Sequence, residues 1–196
     1  SVVAFDRYNP TNNLGWLESS KYKNDIQFIL GDIRDYDSVN KAIQGSSICI
    51  HLAALIGIPY SYVSPLAYVK TNVEGTYNVL EASKNSNLDQ IIITSTSETY
   101  GSSQYSPMDE LHPLNAQSPY AASKVAADQL TLSYYRSFDL PIKIARPFNI
   151  YGPRQSLRAV IPSIILQCLK DINPIKLGNA ESNRDFTYVS DTCESI

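Results

Sequence analysis

Cysteine is scarce in this chain of 196 residues: Cys49, Cys168 and Cys193 are odd in number and far apart. That spacing suggests neither a disulfide framework nor a zinc site, so no metal is expected and a reducing, cytoplasmic setting is. No apolar run approaches the roughly 18 residues of a membrane span, and no signal peptide is visible. Excess positive charge is missing too. The formal net charge of −3 argues against a nucleic-acid surface. There is no internal repeat, low-complexity tract or interdomain linker. What remains is 43% hydrophobic and 18% charged, and long enough for one domain with a sizeable core.

Short apolar runs alternate with helical patterns. Strands are expected at 2–5, 26–30, 48–52, 91–93, 142–145, 175–177 and 186–189. Helices are expected at 37–44, 64–84, 118–137 and 157–171, with Pro162 in the first turns of the last. Strand, helix, strand, helix implies a parallel sheet with right-handed crossovers, hence an α/β fold. Asp35 reads as a helix cap and Gly45 as a helix stop. In 64–84, Leu66, Val69, Val73, Tyr77 and Leu80 recur at helical spacing and should face the core. Gly75 there implies close packing against a neighbour. His51, inside an apolar strand, reads as a core residue. Residues 57–63, 102–117 and 146–155 read as loops, with Asp109 and Glu110 in a solvated turn.

Two stretches carry chemistry. Thr94-Ser95-Thr96-Ser97-Glu98-Thr99-Tyr100-Gly101 leaves the 91–93 strand at its carboxyl end, where open α/β sheets bind ligands. Tyr120-Ala121-Ala122-Ser123-Lys124 opens a helix with Ser118 as N-cap and Pro119 as first residue. Tyr120 and Lys124, four apart, share one face. A phenol titrates at about 10, and an ammonium one turn away lowers it. Thr96 could hold a substrate alcohol in line. These groups can take a proton from a sugar hydroxyl while its carbon passes hydride to a cofactor.

In this order, the chain also carries Gly31-Asp32-Ile33-Arg34-Asp35, His51-Leu52-Ala53-Ala54, Asn72-Val73-Glu74-Gly75-Thr76, Arg146 to Gln155 (RPFNIYGPRQ) and Arg184 to Val189 (RDFTYV). Together with the two chemical stretches they resemble the NAD-dependent epimerase/dehydratase family, the extended short-chain dehydrogenases/reductases that act on nucleotide sugars. The resemblance covers nearly the whole chain. It implies a Rossmann-like doubly wound parallel sheet, a tightly bound and recycled NAD, and a homodimer formed through two long helices, here 64–84 and 118–137. The family's Gly-rich turn, which holds the pyrophosphate, does not precede the strand at 2–5. A chain lacking its first βα unit and a C-terminal portion is therefore expected, with a cofactor domain at 1–147 and the start of a sugar-nucleotide region at 148–196.

The resemblance assigns residues as well. Asp6 would bind the adenosine ribose, and Asp32 with Ile33 would border adenine. Ala53 and Ala54 would let the backbone approach the cofactor, Asn72 would steady the site, and Pro147 would border nicotinamide. Tyr120 and Lys124 would touch both cofactor and substrate. Tyr62, Asn149, Arg154 and Arg184 would face the sugar nucleotide, with Arg158 a further candidate for its diphosphate.

The tripeptide Thr96-Ser97-Glu98 bears on the reaction. The dTDP-glucose 4,6-dehydratases carry Thr-Asp-Glu there, and Ser97 is a poor general acid. Ser-Glu also occurs in UDP-glucuronate decarboxylases and in N-acetylglucosamine nucleotide 4,6-dehydratases of nonulosonic acid pathways. The segments 54–62, 106–113 and 154–162 resemble the latter most. A UDP- or GDP-N-acetylglucosamine 4,6-dehydratase is thus expected, with Thr96, Glu98, Tyr120 and Lys124 catalytic and Ser97 secondary. A decarboxylase, a 4-epimerase and a non-catalytic dinucleotide-binding module remain open.

Overall fold

The computed structural model describes residues 1–178 and 183–196. They form two compact units, Ser1–Arg146 and Pro147–Ile196. Every strand pairing is parallel, as the alternating pattern predicts. Among the described residues the pairings fall into three groups. In the first unit, β1 (Val2–Arg7) lies beside β2 (Ile26–Gly31), with Val2 opposite Ile26. Separately, β4 (Gln90–Thr94) sits between β3 (Ile48–His51) and β5 (Ile142–Ala145), with Ile91 between Cys49 and Ile142. In the second unit, β6 (Asn149–Tyr151) pairs with β7 (Phe186–Tyr188). Two helices, α6 (Val160–Leu169) and α7 (Val189–Ser195), complete that unit.

One core serves the first unit. Val39 and Ile43 of α1 (Tyr36–Ile43), Val79, Leu80 and Ala82 of α4 (Gly75–Lys84), Ile91 and Ile93 of β4, and Tyr134 of α5 (Pro119–Phe138) all pack together. Asp35 caps α1, its carboxylate accepting from Asp37 N at 3.2 Å. His51 is a core residue as expected, its Nε2 3.2 Å from Thr76 Oγ1. Strand alternation places Ile48, Ile50 and Leu52 on the opposite face of β3, where all three are exposed. Among the described residues, no helix is long and apolar enough to cross a membrane.

Several expectations are corrected. The helix at 64–84 runs unbroken over 65–84, but not as a uniform α-helix: α3 (Pro65–Tyr68) passes through a π-helical turn at Val69–Glu74 into α4. Its buried face is not the apolar stripe. Leu80 is fully buried, but Leu66, Val69 and Tyr77 are 62, 49 and 44% exposed. Tyr68, Asn72 and Thr76 point inward instead. The wider π turn shifts the register of the faces, and the inward face is polar because it borders the site. Residues 57–63 are mostly helical, as α2 (Ile58–Val63). The expected loop at 146–155 contains β6, and 175–177 forms no strand. Gly75 packs as expected: a Cβ there would stand 3.0 Å from Ile33.

The loop 102–117 is folded around His112, which is 2% exposed. Its Nε2 accepts from Gln104 N at 3.0 Å, so Nδ1 carries the proton and donates to Pro113 O at 3.0 Å. The ring stacks against Tyr100 and Tyr105. Asp109 is not merely solvated; it accepts from Tyr105 OH at 2.7 Å and Leu111 N at 3.0 Å.

Candidate active site

Thr96 sits two residues past the end of β4 and caps the turn Ser97–Thr99, its hydroxyl accepting from Glu98 N at 3.2 Å. Ser118 caps α5, accepting from Ala121 N at 3.0 Å, with Pro119 as first residue. These two caps fix the segments that the sequence singles out. They bring Thr96, Glu98 and Tyr120 together. The Thr96 hydroxyl lies near enough to Tyr120 to favour the phenolate, and the Glu98 carboxylate is near enough to oppose it.

The electrostatics differ from the expectation in one respect. Burial raises the Tyr120 phenol; Thr96 lowers it, while Glu98 and Tyr68 raise it. Lys124 does not act on it here. The Lys124 ammonium instead donates to Thr94 O at 2.8 Å. Its own pKa is brought down to about 8 by burial, with Asp128 opposing the fall. Ser97 and Glu98 are half-buried.

Asn72 is held by protein groups. It is 1% exposed, and its Nδ2 donates to Leu55 O at 3.0 Å and Ser123 Oγ at 2.9 Å. Ser123 Oγ in turn donates to Tyr120 O at 2.7 Å. Asn72 therefore ties the segment after β3 to the first turn of α5. The Tyr68 ring packs edge-on to the Tyr120 ring, centroids 6.2 Å apart, and its hydroxyl donates to Gly57 O. Tyr62 is exposed, its hydroxyl 3.5 Å from Gln117 O, just before α5.

The parallel strands deliver the other first-unit candidates at their carboxyl ends. Asp6 is exposed near the end of β1 and accepts from Arg7 N at 2.7 Å. Asp32 follows β2, where the Arg34 guanidinium holds its carboxyl down to about 2. Ile33 packs against Gly75. Ala53 and Ala54 follow β3, Ala53 exposed. In the second unit, Pro147 is half-buried and Asn149 Nδ2 donates to Asp185 O at 3.1 Å, next to Arg184. Arg184 Nη1 donates to Asn183 O at 3.1 Å. Arg154 and Arg158 are exposed, Arg154 with a positive φ of 71°.

Sequence reading missed four residues that shape the site: Tyr68, Ser123, Asp128 and Arg146. Asp128 had a signal, lying four residues beyond Lys124 on the same helical face. Asp128 Oδ2 accepts from Arg146 Nε at 2.8 Å.

The family model described as GDP-mannose 4,6 dehydratase matches residues 1–196. The low-salt glycan biosynthesis protein Agl12 of Haloferax volcanii is 31% identical, the match covering 100% of this chain and 63% of that protein. DesIV, a dTDP-glucose 4,6-dehydratase from Streptomyces venezuelae solved with NAD and TYD bound, superposes with a TM-score of 0.87 at 29% identity, over 98% of this chain and 60% of that one. UDP-glucuronic acid 4-epimerase from Bacillus cereus, solved with UDP-glucuronic acid and NAD, gives 0.83 at 34%, over 97% and 62%. The chain thus spans about 60% of the length of the relatives it matches. It belongs to the GDP-mannose 4,6-dehydratase family, among the NAD-dependent epimerases and dehydratases whose motifs it carries.

Proposed function

We propose that the full-length protein is an NAD-dependent sugar-nucleotide 4,6-dehydratase acting on UDP- or GDP-N-acetylglucosamine. What supports this reading is that the Ser97–Thr99 turn packs against α5, with Thr96 and Glu98 near enough to Tyr120 to act on its phenol. The first unit fits a dinucleotide. Asp6 offers a carboxylate to ribose hydroxyls, Ala53 and Ala54 leave room after β3, and Lys124 has two N–H groups beyond the one on Thr94 O. NAD, when bound, supplies the hydride acceptor and donor and a positive ring charge.

In this reading, Thr96 orients the C4 hydroxyl and Tyr120 takes its proton, with Lys124 charged nearby. A carbonyl at C4 acidifies the C5 hydrogen. Glu98 removes that proton and returns one to the departing C6 hydroxyl, with Ser97 hydrogen-bonding beside it. Asn149, Arg154 and Arg184 receive the diphosphate and Tyr62 the sugar, the second unit opening the sugar-nucleotide region. The choice of N-acetylglucosamine rests on the wording of 54–62, 106–113 and 154–162.

The partner is a second copy. Val63, Leu66, Val69 and Tyr77 form an exposed apolar stripe along α2 to α4, suited to helix pairing in a homodimer. A cytoplasmic setting suits Cys49, Cys168 and Cys193, all free thiols. A second reading, 4-epimerisation, is favoured by the likeness to the Bacillus cereus epimerase. Mass spectrometry of the products of the full-length protein separates them. Loss of water supports the dehydratase, and an isomer of unchanged mass overturns it.

A further inference from the structure

We infer that Asp128 is a positioning residue, a buried counter-charge clamped by Arg146 that keeps the Lys124 ammonium charged beside Tyr120. Tyr120, Lys124 and Asp128 follow one another at four-residue spacing on the inward face of α5, and are 7, 6 and 1% exposed. A carboxylate this deep must be paired, and Arg146 pairs it. The Arg146 Nε bond to Asp128 Oδ2 ties the helix to the end of β5. Its Nη1 donates to Tyr100 OH at 3.0 Å, and the guanidinium lies 5.2 Å from the Tyr100 ring centre. Tyr100 is two residues beyond Glu98. One clamp therefore spans α5, β5 and the segment that carries Thr96 and Glu98.

Only one Asp128 oxygen is used by this clamp. Oδ1 makes no hydrogen bond, and Ser95 favours the charged carboxylate from nearby without meeting hydrogen-bond geometry. Lys124 and Asp128 each favour the charged form of the other. The groups facing Lys124 are few. Thr94 offers its carbonyl from β4, His51 faces it from β3 as a neutral imidazole, and Asp128 is, among the described residues, the carboxylate that acts on it. Burial drives Lys124 toward its neutral form, which cannot support a phenolate. Asp128 opposes that loss, and Arg146 sets how strongly by sharing the carboxylate.

The inference rests on Tyr120 being the base, so the test reads Lys124 directly as well as turnover. Full-length Asp128→Asn, Asp128→Glu and Arg146→Met proteins are labelled with ¹³C-lysine, and Lys124 is assigned by Lys124→Arg. The Lys124 resonance should titrate at lower pH in Asp128→Asn and return in Asp128→Glu. It should titrate at higher pH in Arg146→Met, where Lys124 alone holds the carboxylate; this variant also keeps the test decisive if Asp128→Asn does not fold. The alkaline fall in kcat should move with the resonance; a downward move of about one pH unit would cost Asp128→Asn about fourfold more between pH 7 and pH 8.5 than the unaltered enzyme. An unchanged Lys124 titration in the folded variants overturns the inference and leaves Asp128 a purely structural partner of Arg146. A shifted resonance with an unmoved kcat profile supports the charge coupling and overturns Tyr120 as base.

Discussion

Asn72 grips Leu55 by both backbone groups, its Oδ1 accepting from Leu55 N at 2.8 Å and its Nδ2 donating to Leu55 O at 3.0 Å. The side chain thus does for the segment after β3 what a neighbouring strand would do. It also spans to Ser123, and so to the first turn of α5. The π turn makes this reach available, because its extra residue sets Asn72 inward between Tyr68 and Thr76.

Asn72→Ala should strand the Leu55 N–H and C=O inside the protein. Each buried backbone group left without a partner costs about 1–3 kcal/mol. Denaturant unfolding of the full-length variant should show a loss in that range or above. Asn72→Asp keeps the bond from Leu55 N and loses both donations, so it should fall between the two.

The fold was legible where one face of an element is apolar and the other is not. The β4 run from Ile91 to Ile93 and the Ser118–Pro119 start of α5 are read directly from residue type. The face of 64–84 was not, because its inward side carries Asn72 and Thr76 while Leu66, Val69 and Tyr77 turn outward. Hydrophobic periodicity reports burial only when the buried partners are apolar. In the site, the motif residues were visible and their supports were not. Asp128 and Arg146 are 18 positions apart in sequence, and the packing of α5 against β5 brings them within 2.8 Å. Likewise, Tyr120 and Lys124 lie four apart on one helix as expected, but burial raises the phenol and Thr96, not Lys124, is what lowers it.

Tyr120→Phe and Glu98→Gln should each lower kcat of the full-length enzyme by about 10²–10⁴. Both changes preserve shape, so far-UV circular dichroism should be unchanged. The two should fail differently. Tyr120→Phe should block the first step and release no intermediate. Glu98→Gln should still oxidise C4, visible as transient absorbance of reduced cofactor at 340 nm, roughly the nicotinamide band used to follow hydride transfer. Normal turnover by Glu98→Gln would remove the elimination role from that residue.

Gly101 should not tolerate a side chain. Its φ is +67°, and a Cβ would stand 2.2 Å from the carbonyl oxygen of Asn115. Asn115 N itself donates to Thr99 O at 2.9 Å, fastening the end of the 102–117 loop to the catalytic segment. Gly101→Ala should therefore cost about 1–3 kcal/mol from backbone strain, before any cost of moving Asn115. Thermal unfolding should show the loss, and kcat should fall with it because the displaced strap is bonded to Thr99, next to Glu98.

His51 should make the protein acid-sensitive. Burial takes the imidazole down to about 3, and the Lys124 charge pushes the same way. In the unfolded chain, a histidine takes its proton at about 6.5. Between those two values the unfolded state binds the proton and the folded state does not, so stability falls as pH falls through this window. Above about 6.5 both states are neutral and the contribution is complete. The slope from this one group approaches about 1.4 kcal/mol per pH unit within the window. His51→Gln keeps a polar group within reach of Thr76 and cannot take up the proton. Urea unfolding between about pH 4 and pH 6 should show a shallower loss in the variant than in the parent, with the difference closing near neutrality. Parallel slopes would mean that the imidazole finds a charged, solvated position without unfolding.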